Sequence, residues 1–143
     1  MRRISKNTGY SGTPLIKKLG IKENSTVIFM HPPTDYSRII GELPKNALSK
    51  NKLSGSFDFI QIFARNAKEL ESDFPNLKQH LKPDGSLWVS WPKKASGITT
   101  DLDENKIRKI GLENGLVDIK VCAVDEKWSG LKFVYRLADR QKK

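Results

Sequence analysis

Apolar residues arrive along this chain in short blocks, each bounded by glycine, proline or polar clusters. After a loop carrying Gly9, Gly12 and Pro14, a short helix is expected around Leu15–Leu19, ended by Gly20. Val27 to Met30 then form an unbroken apolar run stopped by Pro32 and Pro33, as in a strand covered on both faces. "TDYSRIIGELP" sets Tyr36, Ile39, Ile40 and Leu43 on one helical face, with Thr34 or Asp35 as N-cap and Pro44 as the stop. The polar segment "KNALSKNKLSG" is at best a short edge strand near Ala47–Leu53. "SFDFIQIFA" is a buried strand through Phe57, Phe59, Ile60, Ile62 and Phe63.

A helix follows, with Leu70, Phe74, Leu77 and Leu81 spaced by four, three and four residues and Pro75 starting a new turn or a kink. Pro83-Asp84-Gly85 turns the chain into a strand over Leu87–Trp91. "TTDLDENKIRKIGLENG" reads as a helix with a Thr/Asp cap, acids in its first turn and an Asn114-Gly115 end. Two last strands surround a hairpin loop at Glu126–Gly130. Strands alternating with helices imply an α/β fold: a three-layer, Rossmann-like, mostly parallel sheet with a C-terminal antiparallel hairpin. Residues 1–143 are expected to form one domain, with loose ends over 1–12 and 138–143.

Charge changes the picture less than its total suggests. The net +10 comes mainly from the ends: residues 1–26 hold six Lys/Arg against one acid, residues 136–143 four against one, and residues 27–135 sixteen against fourteen. Basic ends of this kind hold nucleic acid non-specifically, and they also serve solubility. No apolar run reaches the roughly 18 residues of a membrane span, and "MRRISKNTGYSG" lacks a signal-peptide core, so a cytosolic protein without membrane attachment is expected. The single Cys122, in "IKVCAVD", excludes an internal disulfide and reads as a small buried hydrophobe; with only His31 and His80 beside it, no metal site is expected.

The element order, "FDFIQIF", the turn "LKPDGSLWVSW" and the closing hairpin together resemble the class I S-adenosylmethionine-dependent methyltransferase fold, with its first half cut short. That resemblance implies a glycine-rich loop after the first strand and an acid at the end of the second, to hold the cofactor. Here the loop is His31-Pro32-Pro33-Thr34, and "NALSKNKLSG" offers no matching acid, so S-adenosylmethionine is not expected to bind. "GYSGTPLIKKLGIK", "WPKKASGITTDL" and "GLVDIKVCAVDEKWSGLKFVYR" resemble a bacterial family catalogued as domain of unknown function 3052. The positions carrying this likeness include Tyr10, Gly12, Pro14, Trp91, Pro92, Lys93, Lys94, Ser96, Gly97, Asp101, Cys122, Asp125, Trp128, Ser129 and Gly130, and the family brings no known activity with it.

In an open parallel sheet, ligands bind beyond the carboxyl ends of the strands. That rim receives His31 after the first strand, Arg65 and Asn66 after "FIQIF", and Trp91, Lys93 and Lys94 after the Leu87–Trp91 strand. If these groups converge, a phosphate or carboxylate is the natural guest, held by Arg65 and the lysines with Trp91 as a stacking face. The plainer alternative is a solvated charged rim with His31 as a turn residue and Trp128 packed over the sheet edge. Asp35 and Asp101 are expected as helix caps and Asp125 as a proton acceptor or hairpin cap, so no residue set commits to a reaction. The expected function is therefore non-catalytic binding of a small anionic ligand or a macromolecular partner at this rim. The alternatives are a divergent S-adenosylmethionine- or nucleotide-dependent transferase, and non-specific nucleic-acid association through the basic ends.

Overall fold

Six strands lie in one sheet with the order β2-β1-β3-β4-β6-β5. The computed structural model describes residues 14–142, so Tyr10, Gly12, the expected loose end over 1–12 and three of the six bases of residues 1–26 lie outside the described residues. In chain order the elements are α1 (Leu15–Leu19), β1 (Thr26–Met30), α2 (Tyr36–Ile40), β2 (Leu48–Lys50), β3 (Phe57–Phe63), α3 (Ala67–Gln79), β4 (Leu81–Pro92), α4 (Glu104–Glu113), β5 (Leu116–Ala123) and β6 (Trp128–Tyr135). Strands β2, β1, β3 and β4 are parallel, and β6 runs antiparallel to both β4 and β5. This is the expected α/β architecture with a closing antiparallel hairpin, and the weak edge strand does form, as β2.

The two-residue period of the strands divides the side chains between two layers. Ile60 and Ile62 of β3, Leu87, Val89 and Trp91 of β4, and Leu131 and Phe133 of β6 pack with Leu70, Phe74, Ile107 and Ile110 of α3 and α4. Phe59 and Phe63 of β3, Trp88 of β4 and Trp128 of β6 pack on the other face with Leu15 and Leu19 of α1 and Tyr36 and Ile40 of α2. Helix α1 is fastened there because Trp88 Nε1 donates to Leu19 O at 2.9 Å in a buried setting. Helix α4 approaches β6 through Gly111, where a Cβ would stand 2.0 Å from Phe133 Cε1.

Several boundaries differ from the sequence reading. Leu81 opens β4 opposite Phe57 instead of ending α3, and the Pro83-Asp84-Gly85 turn is absorbed as a bulge: β3 advances from Phe57 to Phe59 while β4 advances from Leu81 to Ser86. Helix α3 continues through Pro75, which forfeits one amide hydrogen bond without ending it. Helix α2 closes at Gly41, before Pro44, and Asp35 makes no side-chain cap bond. Asp103 caps α4 by accepting from Lys106 N, while Asp101 accepts from Ala67 N at the start of α3. The hairpin loop is shorter than read, because Trp128-Ser129-Gly130 pair with Pro92, Trp91 and Ser90 inside the sheet. Gly130 serves packing there, since a Cβ would stand 3.0 Å from the Trp88 ring. The last residues, expected to be loose, include a 3₁₀ segment over Leu137–Lys142 in which Arg140 Nε donates to Tyr135 O.

Candidate functional site

At the carboxyl ends of the parallel strands the chain opens into a cleft of about 550 Å³. One wall comes from the segment leading into α2, with Pro33 and Asp35, and from Ile39 of α2 itself; the other is the β5–β6 hairpin, with Asp125, Glu126, Lys127 and Trp128. Arg65 and Ile98 complete the lining.

The hairpin wall is rigid for a local reason. Asp125 Oδ1 accepts from the backbone N–H of Lys127 and of Trp128, both at 2.8 Å, and Val124 N donates to Trp128 O at 2.9 Å. Lys93 N donates to Lys127 O, which ties the loop to the end of β4. Trp128 is thereby turned into the layer of α1 and α2, edge-on to Phe63 at 5.1 Å, and Phe63 is edge-on to Tyr36 at 4.7 Å.

Arg65 rests its guanidinium on the Trp128 ring, 5.2 Å from the centroid. Its backbone is held from a second loop: Thr100 Oγ1 donates to Arg65 O at 2.6 Å, and Asp101 takes the amide of Ala67. Asn66 caps α3 by accepting from Glu69 N. The segment that emerges from β3 is thus fixed on both sides of Arg65.

Beneath the cleft runs a buried polar chain. Tyr36 Oη donates to Gln61 Oε1 at 2.7 Å, and Gln61 Nε2 donates to Ser90 Oγ at 3.0 Å. Gln61 and Ser90 are fully buried, so this chain links α2, β3 and β4 through groups that have little access to water. Burial pushes the Tyr36 hydroxyl well above the ordinary tyrosine range, an effect the hydrogen bond to Gln61 only partly opposes.

The six residues picked out on the rim are not gathered into one place. Arg65 and Trp128 meet in the cleft. Trp91 is corrected: it alternates with Ser90, faces α3 and α4, and is only 8% exposed in that core, so it presents no stacking face. Lys93 and Lys94 lead into the short 3₁₀ turn Lys94–Ser96 and do not line the cleft. His31, at φ 56°, turns toward α3, where Nε2 lies 3.9 Å from Asp73 Oδ2 with both side chains exposed. With Arg65, Lys68, Glu69 and Ser72 it lines a separate open depression on that side.

Sequence reasoning passed over Asp35, Ile39 and Ile98 as cleft residues and did not see the Tyr36–Gln61–Ser90 chain. A signal for the chain was present: Gln61 and Ser90 are the polar interruptions of "FIQIF" and "LWVSW", strands otherwise apolar on both faces. Cys122, expected to be buried, is half-buried beside this layer, and burial raises its thiol pKa.

The sequence matches no family model and no curated protein, so its likeness to the domain of unknown function 3052 family stands on the quoted motifs alone. Solved structures do match. An S-adenosylmethionine-dependent methyltransferase from Aquifex aeolicus aligns over 87% of this chain and 89% of its own, with a TM-score of 0.62 and 16% identity. The DhpI complex with S-adenosylhomocysteine aligns over 87% and 83%, with a TM-score of 0.61 and 9% identity. Magnesium protoporphyrin IX methyltransferase from Synechocystis PCC 6803, with bound S-adenosylmethionine, aligns over 85% and 74%, with a TM-score of 0.55 and 13% identity. At identities this low, the alignments establish a shared methyltransferase-like fold alone.

Proposed function

We propose that the protein is a binding domain on a methyltransferase-like frame, whose rim cleft takes a small ligand through an anionic group set on Arg65. The observation that carries this reading is the setting of Arg65. Its guanidinium lies on Trp128, its backbone is pinned by Thr100 and by the Asp101–Ala67 bond, and among the described residues no carboxylate lies within ion-pairing distance of it. An arginine held on an aromatic face without an acid partner keeps its planar fork free for a carboxylate or phosphate. Ile39, Ile98 and Trp128 supply apolar walls. Asp125 is engaged by two backbone amides, which favours binding over acid–base chemistry at this wall.

Two features of this rim speak against the cofactor of the structural neighbours. The loop after β1 places His31 in the left-handed region at φ 56°, then two prolines that have no amide hydrogens to offer. Strand β2 ends at Lys50, followed by Asn51 and Lys52, where ribose hydroxyls would need an acid. The shared fold keeps a divergent transferase as the second reading.

Calorimetry separates the two. With citrate and AMP as anionic probes, binding is expected in the wild-type protein and lost in Arg65→Ala, with no heat from S-adenosylmethionine or S-adenosylhomocysteine. Anion binding unchanged by Arg65→Ala would sink the rim reading. Saturable heat with S-adenosylmethionine would move the assignment to the transferase.

A further inference from the structure

A second cleft, of about 250 Å³, lies at the amino ends of the parallel strands, the end of the sheet opposite Arg65. Gly20, Lys22, Ser25, Asp58, Ser86 and Lys132 are among its lining residues. Lys132 is the unusual member. It sits within β6 on the face that carries Trp128, and its register partners are Trp88 on one side and Lys120 on the other. Two lysines directly opposed on antiparallel strands repel each other.

Lys120 finds partial relief by donating to Lys18 O at 3.1 Å. Lys132 does not. Its ammonium lies against Gly20, 3.6 Å from where a Cβ would stand, and among the described residues it has neither a carboxylate within ion-pairing distance nor a hydrogen bond. The nearby acids do not compensate. Asp58 accepts from Thr26 N and pairs with Lys82, while Glu23 and Asp84 are exposed at the mouth. Burial holds the Lys132 ammonium below the ordinary lysine range, and Lys120 and Lys22 push the same way. Three cations from three segments, the turn before β1 and strands β5 and β6, thus meet around one half-buried ammonium with which none of the cleft's carboxylates, Glu23, Asp58 and Asp84, forms an ion pair.

We propose that this cleft is a second binding site, for a phosphate group held by Lys132 and Lys22, with Lys120 adding its charge from the neighbouring strand. A multiply charged oxyanion relieves the like-charge opposition across β5 and β6, and lysines bind phosphate as point charges without needing a fixed fork geometry. The site is independent of Arg65 and stands whether or not the rim takes a ligand.

The test is differential scanning fluorimetry of the full chain at constant ionic strength. Inorganic phosphate, glycerol phosphate and a short single-stranded oligonucleotide serve as probes, with chloride as the reference. Phosphate is expected to raise the melting midpoint of the wild type and to raise it less in Lys22→Ala. Lys132→Met keeps the apolar stem, so without phosphate it is expected to melt higher than the wild type, and phosphate should no longer shift it. The phosphate-induced rise persists in Arg65→Ala. A rise with glycerol phosphate but not the oligonucleotide assigns the site to a small phosphoester; an oligonucleotide rise that Lys132→Met removes assigns it to a polymer backbone. No phosphate-specific rise in the wild type, or one that survives in Lys132→Met, overturns the proposal.

Discussion

Replacing Gln61 by leucine tests whether the polar chain under the cleft is a working fastening or a tolerated defect. Gln61 is fully buried between Tyr36 Oη, which donates to it, and Ser90 Oγ, which it donates to. Leucine is close in size, so packing is nearly conserved and the cost falls on the two orphaned groups. A buried polar group deprived of its partner costs about 1–3 kcal/mol. Ser90 Oγ loses the N–H that donates to it and Tyr36 Oη, fixed by its ring, loses its acceptor, so a loss of about 2–4 kcal/mol is expected from Gln61→Leu. Tyr36→Phe strands only Gln61 Oε1 and should cost about 1–2 kcal/mol. In Tyr36→Phe/Gln61→Leu the tyrosine hydroxyl is gone, so the double variant should lose less than the sum of the singles by at least about 1 kcal/mol. Urea denaturation followed by tryptophan fluorescence reads all three, because Trp88 and Trp128 share the layer. Single effects that add within roughly 0.5 kcal/mol would refute a coupled chain.

The remaining predictions concern stability. Burial raises the Tyr36 pKa, so the folded protein keeps this proton at pH values where unfolded tyrosine, with its ordinary pKa of about 10, has lost it. Its contribution is full below about pH 10 and declines above it by up to about 1.4 kcal/mol per pH unit, and an alkaline series of urea midpoints should show that decline weakened in Tyr36→Phe. Gly111→Ala gains about 1 kcal/mol of helix propensity. It also drives a Cβ to within 2.0 Å of Phe133 Cε1, on a fully buried ring set edge-on to Phe74. Overlap this deep lies at or beyond the upper end of the roughly 1–3 kcal/mol range for overpacking, so a net loss of about 2 kcal/mol and a lower thermal midpoint are expected.

The architecture was legible because its signals are strong: an unbroken apolar run for β1, an apolar run broken only by Asp58 and Gln61 for β3, and four-and-three spacing for α3. Boundaries were less so where a turn motif is used inside an element. Pro83-Asp84-Gly85 became a bulge because Leu81 had a partner in Phe57, and Gly130 entered β6 because Trp88 needed the space a side chain would take. At the rim, position along the strand was readable but direction was not. The two-residue alternation that sends Trp128 toward the cleft's layer sends Trp91 to the opposite core, and which face is which depends on pairings set far along the chain. Nothing in "SGLKFVYR" distinguishes Lys132; its register opposite Lys120 does.

The two walls of the rim cleft also have a history. One is contributed by residues 33–39 and the other by residues 125–128, so it is built from the first third of the chain and from the entry to its last strand. A chain emerging from the ribosome can pair β1, β3 and β4 while the hairpin is still being made, and throughout that interval β4 presents an open edge. Until Trp128 arrives, Arg65 has no ring to rest on and the cleft has one side. Docking of the last hairpin therefore does three things at once: it covers the open edge of β4, closes the layer over Phe63, and completes the rim cleft.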